Sequence, residues 1–186
     1  MTDLLTPEQV FEMYQPIIEA WTPEMPGAVA PPMLGMVGED GKLLFGPVFG
    51  QMNPSEYLNM IDPTVVAPGI RVVQAIFVIE AHGEYGVDEE HAMERDVVLF
   101  YSATAPDVIG GTWAAFSPMV RTVTADEQGE AGVSIEWTEP GDENAPPMIM
   151  DFDEYPEEIP PVIQDLRRFV TGGPTEGALF PPPSPN

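Results

Sequence analysis

Two histidines stand in an acid-rich stretch of the chain, where histidine and carboxylate together could bind zinc, iron or manganese. The sequence has two histidines, His82 and His91, and acidic residues occupy six positions around and between them: Glu80, Glu84, Asp88, Glu89, Glu90 and Glu94. The H-x8-H spacing matches neither the i, i+4 pair of a helical zinc site nor a facial triad of known spacing. We therefore expect an exposed acidic loop with two incidental histidines and no metal site. A metal-dependent hydrolase is kept as a third hypothesis for function.

The other patterns that could do chemistry are incomplete. Asp151-Phe152-Asp153-Glu154 offers oxygen ligands for Ca²⁺ or Mg²⁺, but it lacks the glycine and the twelfth-position glutamate of an EF-hand loop. Ser117 lies in neither G-x-S-x-G nor S-x-x-K and favours a strand bulge. Gly110-Gly111-Thr112 lacks the lysine and the following helix of a phosphate-binding loop. We predict no catalytic residue, no cofactor and no enzyme activity.

The distribution of acidic residues is the strongest functional signal in the sequence. Residues 126–170 contain thirteen acidic residues and two arginines, about twice the acid density of residues 1–125. Carboxylates spaced along a rigid surface imitate duplex phosphates, and aromatic residues among them supply desolvated anchors for a specific interface. The alternative is a solubilising face that binds nothing. The predicted partner-binding residues are Glu136, Trp137, Glu139, Asp142, Glu143, Asp151, Phe152, Asp153, Glu154, Tyr155, Glu157 and Glu158.

Composition excludes several classes of function. With 31 Asp and Glu against 6 Lys and Arg, the formal net charge is −25. Such a chain does not bind nucleic acid nonspecifically, because it has no basic patch to displace counterions, and anionic lipid repels it. The absence of cysteine excludes disulfides, thiolate zinc sites, iron–sulfur clusters and cysteine nucleophiles. No apolar run approaches the length of a membrane span and no basic signal region precedes one, so we expect a cytoplasmic protein.

Local signals predict three helices. Thr6 and Gln9 form a T-x-x-Q capping box with Pro7 at the first helical position, which predicts a helix from Pro7. Its apolar face runs from Val10 to Trp21, with Glu8, Glu12 and Glu19 turned outward, and Pro16 is expected to kink it or end it early. Residues 22–32 are predicted to be a linker. A second helix is predicted from Pro54 and a third over residues 162–170.

The strands are predicted from apolar runs and alternation. Residues 33–37 and 42–45 flank Asp40-Gly41, which indicates a hairpin whose turn residues adopt positive φ. Residues 70–79 and 97–101 read as central strands covered on both faces, with a polar excursion between them. Further strands are expected at residues 113–116 and 119–124, separated by Ser117-Pro118, and at the alternating residues 133–137, which we expect to pair antiparallel with 119–124.

This order of elements predicts an α+β fold of one domain. We expect an antiparallel or mixed sheet of about five to seven strands with two or three helices on one face. Too few helices separate the later strands for a doubly wound fold. Residues 1–173 form the predicted domain, and the proline-rich residues 174–186 are predicted to be an extended tail.

One stretch resembles a loose group of uncharacterised small proteins of phages and bacteria. The likeness covers residues 33–101: a D-G hairpin, a helix, a strand ending in Glu80-Ala81, an acidic loop, and Arg95-x-Val-Val leading into another strand. Glu-Ala is often followed by Trp in that group, where this chain has His82. The resemblance implies a phage or mobile-element origin and brings no activity, cofactor or functional residue.

These observations favour an acidic interaction protein without enzyme activity. We expect its carboxylate-rich face to dock on a basic partner surface, such as that of a nucleic-acid-binding or defence protein, as an inhibitor that mimics DNA charge. The alternative is a structural or assembly component of a phage particle that locks onto neighbours through its proline-rich arm and the helix from Pro7 to Trp21. The expected location is then the host cytoplasm or the virion. No direct nucleic acid and no membrane partner is expected, and self-assembly stays possible.

Overall fold

The chain forms an antiparallel seven-stranded sheet flanked by helices, which confirms the predicted α+β fold. The computed structural model describes residues 4–24, 30–48, 54–61, 70–85, 93–125, 131–137, 148–152 and 159–171. The helices among them are α1 (Pro7–Glu24), α2 (Pro54–Met60) and α3 (Pro161–Thr171). The strands are β1 (Met33–Gly38), β2 (Leu43–Pro47), β3 (Val72–Tyr85), β4 (Met93–Thr104), β5 (Trp113–Ala125), β6 (Ala131–Trp137) and β7 (Met148–Asp151). The predicted tail, residues 174–186, lies outside the described residues.

The strands follow the order β2-β1-β3-β4-β5-β6, and β7 also pairs with β5. Every pairing is antiparallel, including the predicted pairing of β5 with β6. The strand β2 therefore forms one edge of the described sheet, while β6 and β7 share the other. No helix in the described residues is long and apolar enough to cross a membrane.

The helices lie on both faces of the sheet, not on one face as predicted. Successive residues of β3 point to opposite faces: Ile76 and Val78 pack in the same buried cluster as α1, whereas Ala75 and Phe77 pack in the cluster that contains α3. All four are at most 1% exposed. Because β3 is apolar on both faces, each face needs a covering layer. The result is a three-layer arrangement with the sheet in the middle.

Helix α1 begins as predicted but continues through Pro16. The Thr6 amide donates to Gln9 Oε1 at 2.9 Å, and the Gln9 amide donates to Thr6 Oγ1 at 3.3 Å, so the capping box is confirmed. Proline at residue 16 gives up a hydrogen bond, yet Tyr14 and Ile18 on either side are completely buried. Packing of this kind supplies most helical stability in proteins and offsets that loss. The helix therefore takes in residues 22–24 of the predicted linker.

The predicted β1–β2 hairpin is confirmed, with a different turn from the one expected. Gly41 has φ of +77°, and no described residue other than glycine has positive φ, so Asp40 does not share that conformation. The Gly41 amide donates to the Gly38 carbonyl at 2.9 Å, and the Gly38 amide donates to the Lys42 carbonyl at 2.9 Å. This is the three-residue hairpin loop that ends in a left-handed glycine.

The polar segment predicted between the two central strands belongs in large part to the strands themselves. Pairing between β3 and β4 runs without a register shift from Gln74 opposite Thr104 to Tyr85 opposite Met93. Towards this end of the ladder the exposed His82 lies opposite Asp96, a cross-strand pair of the kind that stabilises a sheet. Residues 81–85 and 93–94 of the expected loop therefore belong to strands, and residues 86–92 lie outside the described residues.

Strand β5 is continuous, so the predicted break at Ser117-Pro118 is wrong. Opposite β4, Ser117 pairs with Val98 and Pro118 with Val97 in unbroken register, which also excludes the expected bulge on that side. On the other edge of β5, β7 pairs with residues 113–116 and β6 with residues 119–125. Residues 117 and 118 lie at the seam between those two partners, where neither described strand requires a proline amide.

Candidate acidic interaction surface

Helix α1 presents a line of polar side chains, opposite the face that it buries. Glu8, Glu12, Gln15 and Glu19 recur at i, i+4, i+7 and i+11, which places them on one face of the helix. Glu12 and Glu19 are exposed, and Glu8 and Gln15 are half-buried. The helix contains no lysine or arginine. We call Glu8, Glu12, Gln15 and Glu19 the acidic stripe.

The buried face of α1 holds the stripe in a fixed position. Val10, Tyr14 and Ile18 are completely buried against the sheet. Two aromatic rings of the helix pack against Phe100 of β4. The ring centroids of Phe11 and Tyr14 each lie 6.1 Å from that of Phe100, in edge-to-face geometry. The acidic stripe is therefore carried on a packed element and not on a loop.

A buried amide fixes the start of α1, and the sequence analysis missed its role. Gln74 is completely buried in β3. Its Oε1 accepts from the Leu5 amide at 2.8 Å, and its Nε2 donates to the Leu5 carbonyl at 2.9 Å and to Ser102 Oγ at 3.0 Å. A glutamine inside the apolar run of residues 72–79 was the available signal, because a buried amide requires partners.

Trp137 of β6 joins the acidic stripe at its C-terminal end. Its indole Nε1 donates to Glu19 Oε1 at 3.3 Å, and Gln15 Nε2 donates to the same oxygen at 3.0 Å. The Trp137 ring packs edge-on against Phe11, with centroids 5.1 Å apart. Trp137 is half-buried, so a carboxylate and an aromatic edge lie together at this surface.

The predicted acidic face is only partly described, and its two described carboxylates lie on opposite faces of the sheet. Trp137 pairs with Met119, and Asp151 pairs with Trp113. Met119 and Trp113 both belong to the cluster that packs against α1, so Asp151 lies on that side. Glu136 is the neighbour of Trp137 and points to the other side. Both carboxylates are exposed. Eight predicted residues lie outside the described residues: Glu139, Asp142, Glu143, Asp153, Glu154, Tyr155, Glu157 and Glu158.

Phe152, expected to be a partner anchor, is part of the core. Its side chain is 1% exposed and belongs to the cluster that contains Leu166 and Phe169 of α3. Its amide donates to the Thr112 carbonyl at 3.0 Å. The side chain is therefore turned inward, and it cannot reach a partner while the domain is folded.

The candidate metal ligands are not brought together in the described residues. His82 lies on β3, where its Nδ1 is 2.8 Å from Asp96 Oδ1 of β4. No group of three potential ligands occurs in the part of the chain that the structure describes. His91 lies outside it, so the metal-dependent hydrolase stays an untested prediction.

Ser117 and His82 do not form a nucleophile–base pair. Ser117 is completely buried, and its hydroxyl has no hydrogen-bond partner among the described residues. Strand β4 lies between β3, which carries His82, and β5, which carries Ser117. Two strand spacings separate them by ~10 Å, whereas proton transfer to a base requires hydrogen-bond distance.

Two exposed basic residues are paired with acids at the end of the sheet that carries the β1–β2 turn. Lys42 Nζ lies 2.7 Å from Asp40 Oδ2. Arg71 hydrogen-bonds the Asp107 carboxylate and lies 3.6 Å from Glu39 Oε2. Hydrogen bonding by Arg71 lowers the pKa of Asp107 below 3.8, and hydrogen bonding by Lys42 lowers the pKa of Asp40 in the same way. These positive charges are neutralised locally, away from the acidic stripe.

This pairing predicts a pH-dependent effect of Arg71→Gln. A carboxyl with a lowered folded pKa contributes stability above its unfolded pKa, and the contribution is lost as pH falls through the folded pKa. We therefore expect Arg71→Gln to lower the urea midpoint at pH 7 and to have a smaller effect at about pH 2. Equal shifts in the midpoint at both pH values would contradict a role for Asp107.

No family model, no curated protein and no solved structure matches this chain. What its surface binds therefore has to follow from its own charges and contacts.

Proposed function

We propose that this chain is an acidic interaction protein without enzyme activity, which docks on a basic surface of a partner protein. The observation that carries the proposal is the acidic stripe: three glutamates on a packed helix without a basic residue, beside the half-exposed Trp137. The formal net charge of −25 adds a long-range field of the same sign. Carboxylates attract the partner, and the aromatic edge gives the contact a desolvated centre.

The spacing of the stripe favours a protein partner of moderate charge density. From Glu8 to Glu19 the helix rises ~16 Å, so the three carboxylates lie about 8 Å apart on average along the axis. Duplex DNA carries one charge per ~1.7 Å. The stripe alone is therefore a sparse imitation of phosphates. We propose that a nucleic-acid-binding or defence protein is engaged by the stripe together with further acids, in the host cytoplasm if the chain is phage-encoded.

The test is a salt-dependent affinity capture from a bacterial lysate. At about 0.1 M salt the Debye length is ~10 Å and at about 1 M it is ~3 Å, so docking through carboxylates is expected to fail at the higher concentration. A basic protein that is retained at low salt and released at high salt supports the proposal. A polyglutamate column run in parallel removes from consideration proteins that bind any polyanion.

Two outcomes would contradict the proposal. One is that no basic protein is retained beyond those that the polyglutamate column also retains. The other is a retained partner whose binding does not change between the two salt concentrations, because binding through exposed carboxylates must weaken with screening.

A structural or assembly role is the second candidate, and one observation favours it. Strand β2, at the edge of the described sheet, exposes two apolar side chains, Leu43 and Leu44. Exposed apolar edges are uncommon on monomers, since they offer a template for another chain. In a phage particle such an edge would contact a neighbouring subunit.

A further inference from the structure

The outer edge of β2 has no pairing strand among the described residues. Backbone hydrogen bonds fix which of its groups face outward: the Val48 amide donates to the Pro32 carbonyl at 2.7 Å, and the Lys42 carbonyl accepts from the Gly38 amide at 2.9 Å. Even-numbered residues of β2 therefore bond to β1. Residues 43, 45 and 47 direct their backbone groups to the open side, because bonding direction alternates along an antiparallel strand.

This edge is short and partly blocked by proline. Pro47 faces the open side, so its missing N–H costs no bond to β1. The N–H and C=O groups of Leu43 and Phe45 have no strand to pair with in the part of the chain that the structure describes. Four backbone groups in a row suffice for a short antiparallel contact of the kind used in strand addition.

Apolar surface accompanies the open backbone. Leu43 is 37% exposed and Leu44 is 38% exposed. A groove of about 350 Å³ runs beside Leu44 on the face that carries α3, and its lining includes Leu34, Met36 and Ile61. Backbone donors and apolar contacts are therefore available on the same strand.

The charge at this edge indicates which partner strand would bind there. Residues 41–48 contain Lys42 and no Asp or Glu, in a chain that has 31 acidic residues. A basic partner gains nothing from a surface without carboxylates. Two copies of this chain repel one another through most of their surface, and repulsion is least where acids are missing. The acid-free edge is therefore suited to a second copy.

We propose that β2 pairs with β2 of a second copy about a two-fold axis at Leu44. In that register Leu43 of one copy lies opposite Phe45 of the other, which makes two hydrogen-bonded pairs and four backbone hydrogen bonds. The two Leu44 side chains meet beside the grooves, on the same face of the joined sheets. The nearest carboxylates on the strand's own hairpin, those of Asp40, then lie about 27 Å apart, beyond three Debye lengths at physiological salt.

The test is the mass of the full-length chain in solution, measured by sedimentation equilibrium. Strand pairing of this size buries little area compared with standard interfaces, so the dimer is expected to be weak. The fraction of chains in dimers is expected to rise between about 10 µM and about 1 mM protein. Added salt screens the repulsion between copies and is expected to raise the dimer fraction. Docking on a basic partner weakens with salt, so the two proposals fail independently.

Leu44→Lys places like charges directly opposite one another at the axis and is expected to weaken dimerisation at least about tenfold. Ile149→Lys is the matched control, because it puts the same charge on β7 at a residue that is 44% exposed. The control is expected to dimerise like the unchanged chain. Thermal melting of each variant, followed by circular dichroism, establishes that it is folded.

Three results would overturn the proposal. The first is a monomer at every protein and salt concentration. The second is unchanged dimerisation of the Leu44→Lys variant. The third is protection of the Leu43 and Phe45 amides from hydrogen exchange that does not depend on protein concentration, since the edge is then covered by another part of the same chain.

Discussion

Phe152→Ala is expected to lower the free energy of unfolding by about 3–5 kcal/mol. The side chain is 1% exposed and packs with α3, so its removal loses apolar burial and leaves a cavity. Many domains of this size are stable by only about 5–15 kcal/mol, so the loss is a large fraction of the total. Urea denaturation followed by tryptophan fluorescence measures it.

The control for this experiment lies on β7, three residues before Phe152. Ile149 is 44% exposed, and Ile149→Ala is expected to change the free energy of unfolding by less than about 1 kcal/mol. If Phe152→Ala instead keeps full stability but loses binding to a captured partner, Phe152 is an interface residue and its placement in the core is wrong.

The triple variant Glu8→Gln, Glu12→Gln, Glu19→Gln is expected to slow association with a basic partner about 10- to 100-fold at low salt. Glutamine keeps the size of each side chain and leaves an oxygen at residue 19 to accept from Trp137. Dissociation is expected to change less, because rim charges act mainly on the encounter. Stopped-flow or surface-plasmon measurements with the captured partner give both rates.

A second triple variant separates the stripe from net charge alone. Glu39→Gln, Asp40→Asn and Glu56→Gln remove the same number of carboxylates, all of them exposed, from places away from α1. The two exposed ion pairs lost, Asp40 with Lys42 and Glu39 with Arg71, contribute little to stability. If both triple variants slow association equally, the field of the whole chain is responsible and the stripe has no special role. If neither does, docking through carboxylates is contradicted.

Elements with local signals were predicted well from the sequence. The T-x-x-Q box and Pro7 fixed the start of α1, and Gly41 fixed the hairpin. The apolar, β-branched runs marked β3 and β4, since such runs fit a buried sheet. Alternation in residues 133–137 correctly indicated β6. These signals succeed because each acts within a few residues.

Features that depend on distant partners were not predictable. Pro118 is accepted inside β5 because β6 and β7 meet beside it. Phe152 stands between two aspartates and looks like part of an exposed segment, yet β7 pairs with β5 and carries it into the core. The helices on opposite faces likewise follow from chain crossings that no local pattern contains.

The candidate site was predictable in part. The outward position of Glu8, Glu12 and Glu19 follows from helical spacing, and the structure places all three on one face of α1. The contact between Trp137 and Glu19 joins residues separated by 118 positions, so no sequence window contains it. Acid density along the sequence does not say that Glu136 and Asp151 lie on opposite faces of the sheet, because the face of each follows from its register against β5.

The seam at Pro118 also limits how far copies of this chain can polymerise. A fibre needs two long edges that accept further strands, and here the edge opposite β2 is divided between a seven-residue strand and a four-residue strand. An incoming straight strand would have to cross the break between them opposite residues 117 and 118, which interrupts its ladder of hydrogen bonds. In the proposed dimer, each copy uses its β2 edge to pair with the other copy. The two outer edges of the joined sheet are then the divided ones, formed by β6 and β7. Growth then stops at the closed dimer and does not continue into cross-β stacks.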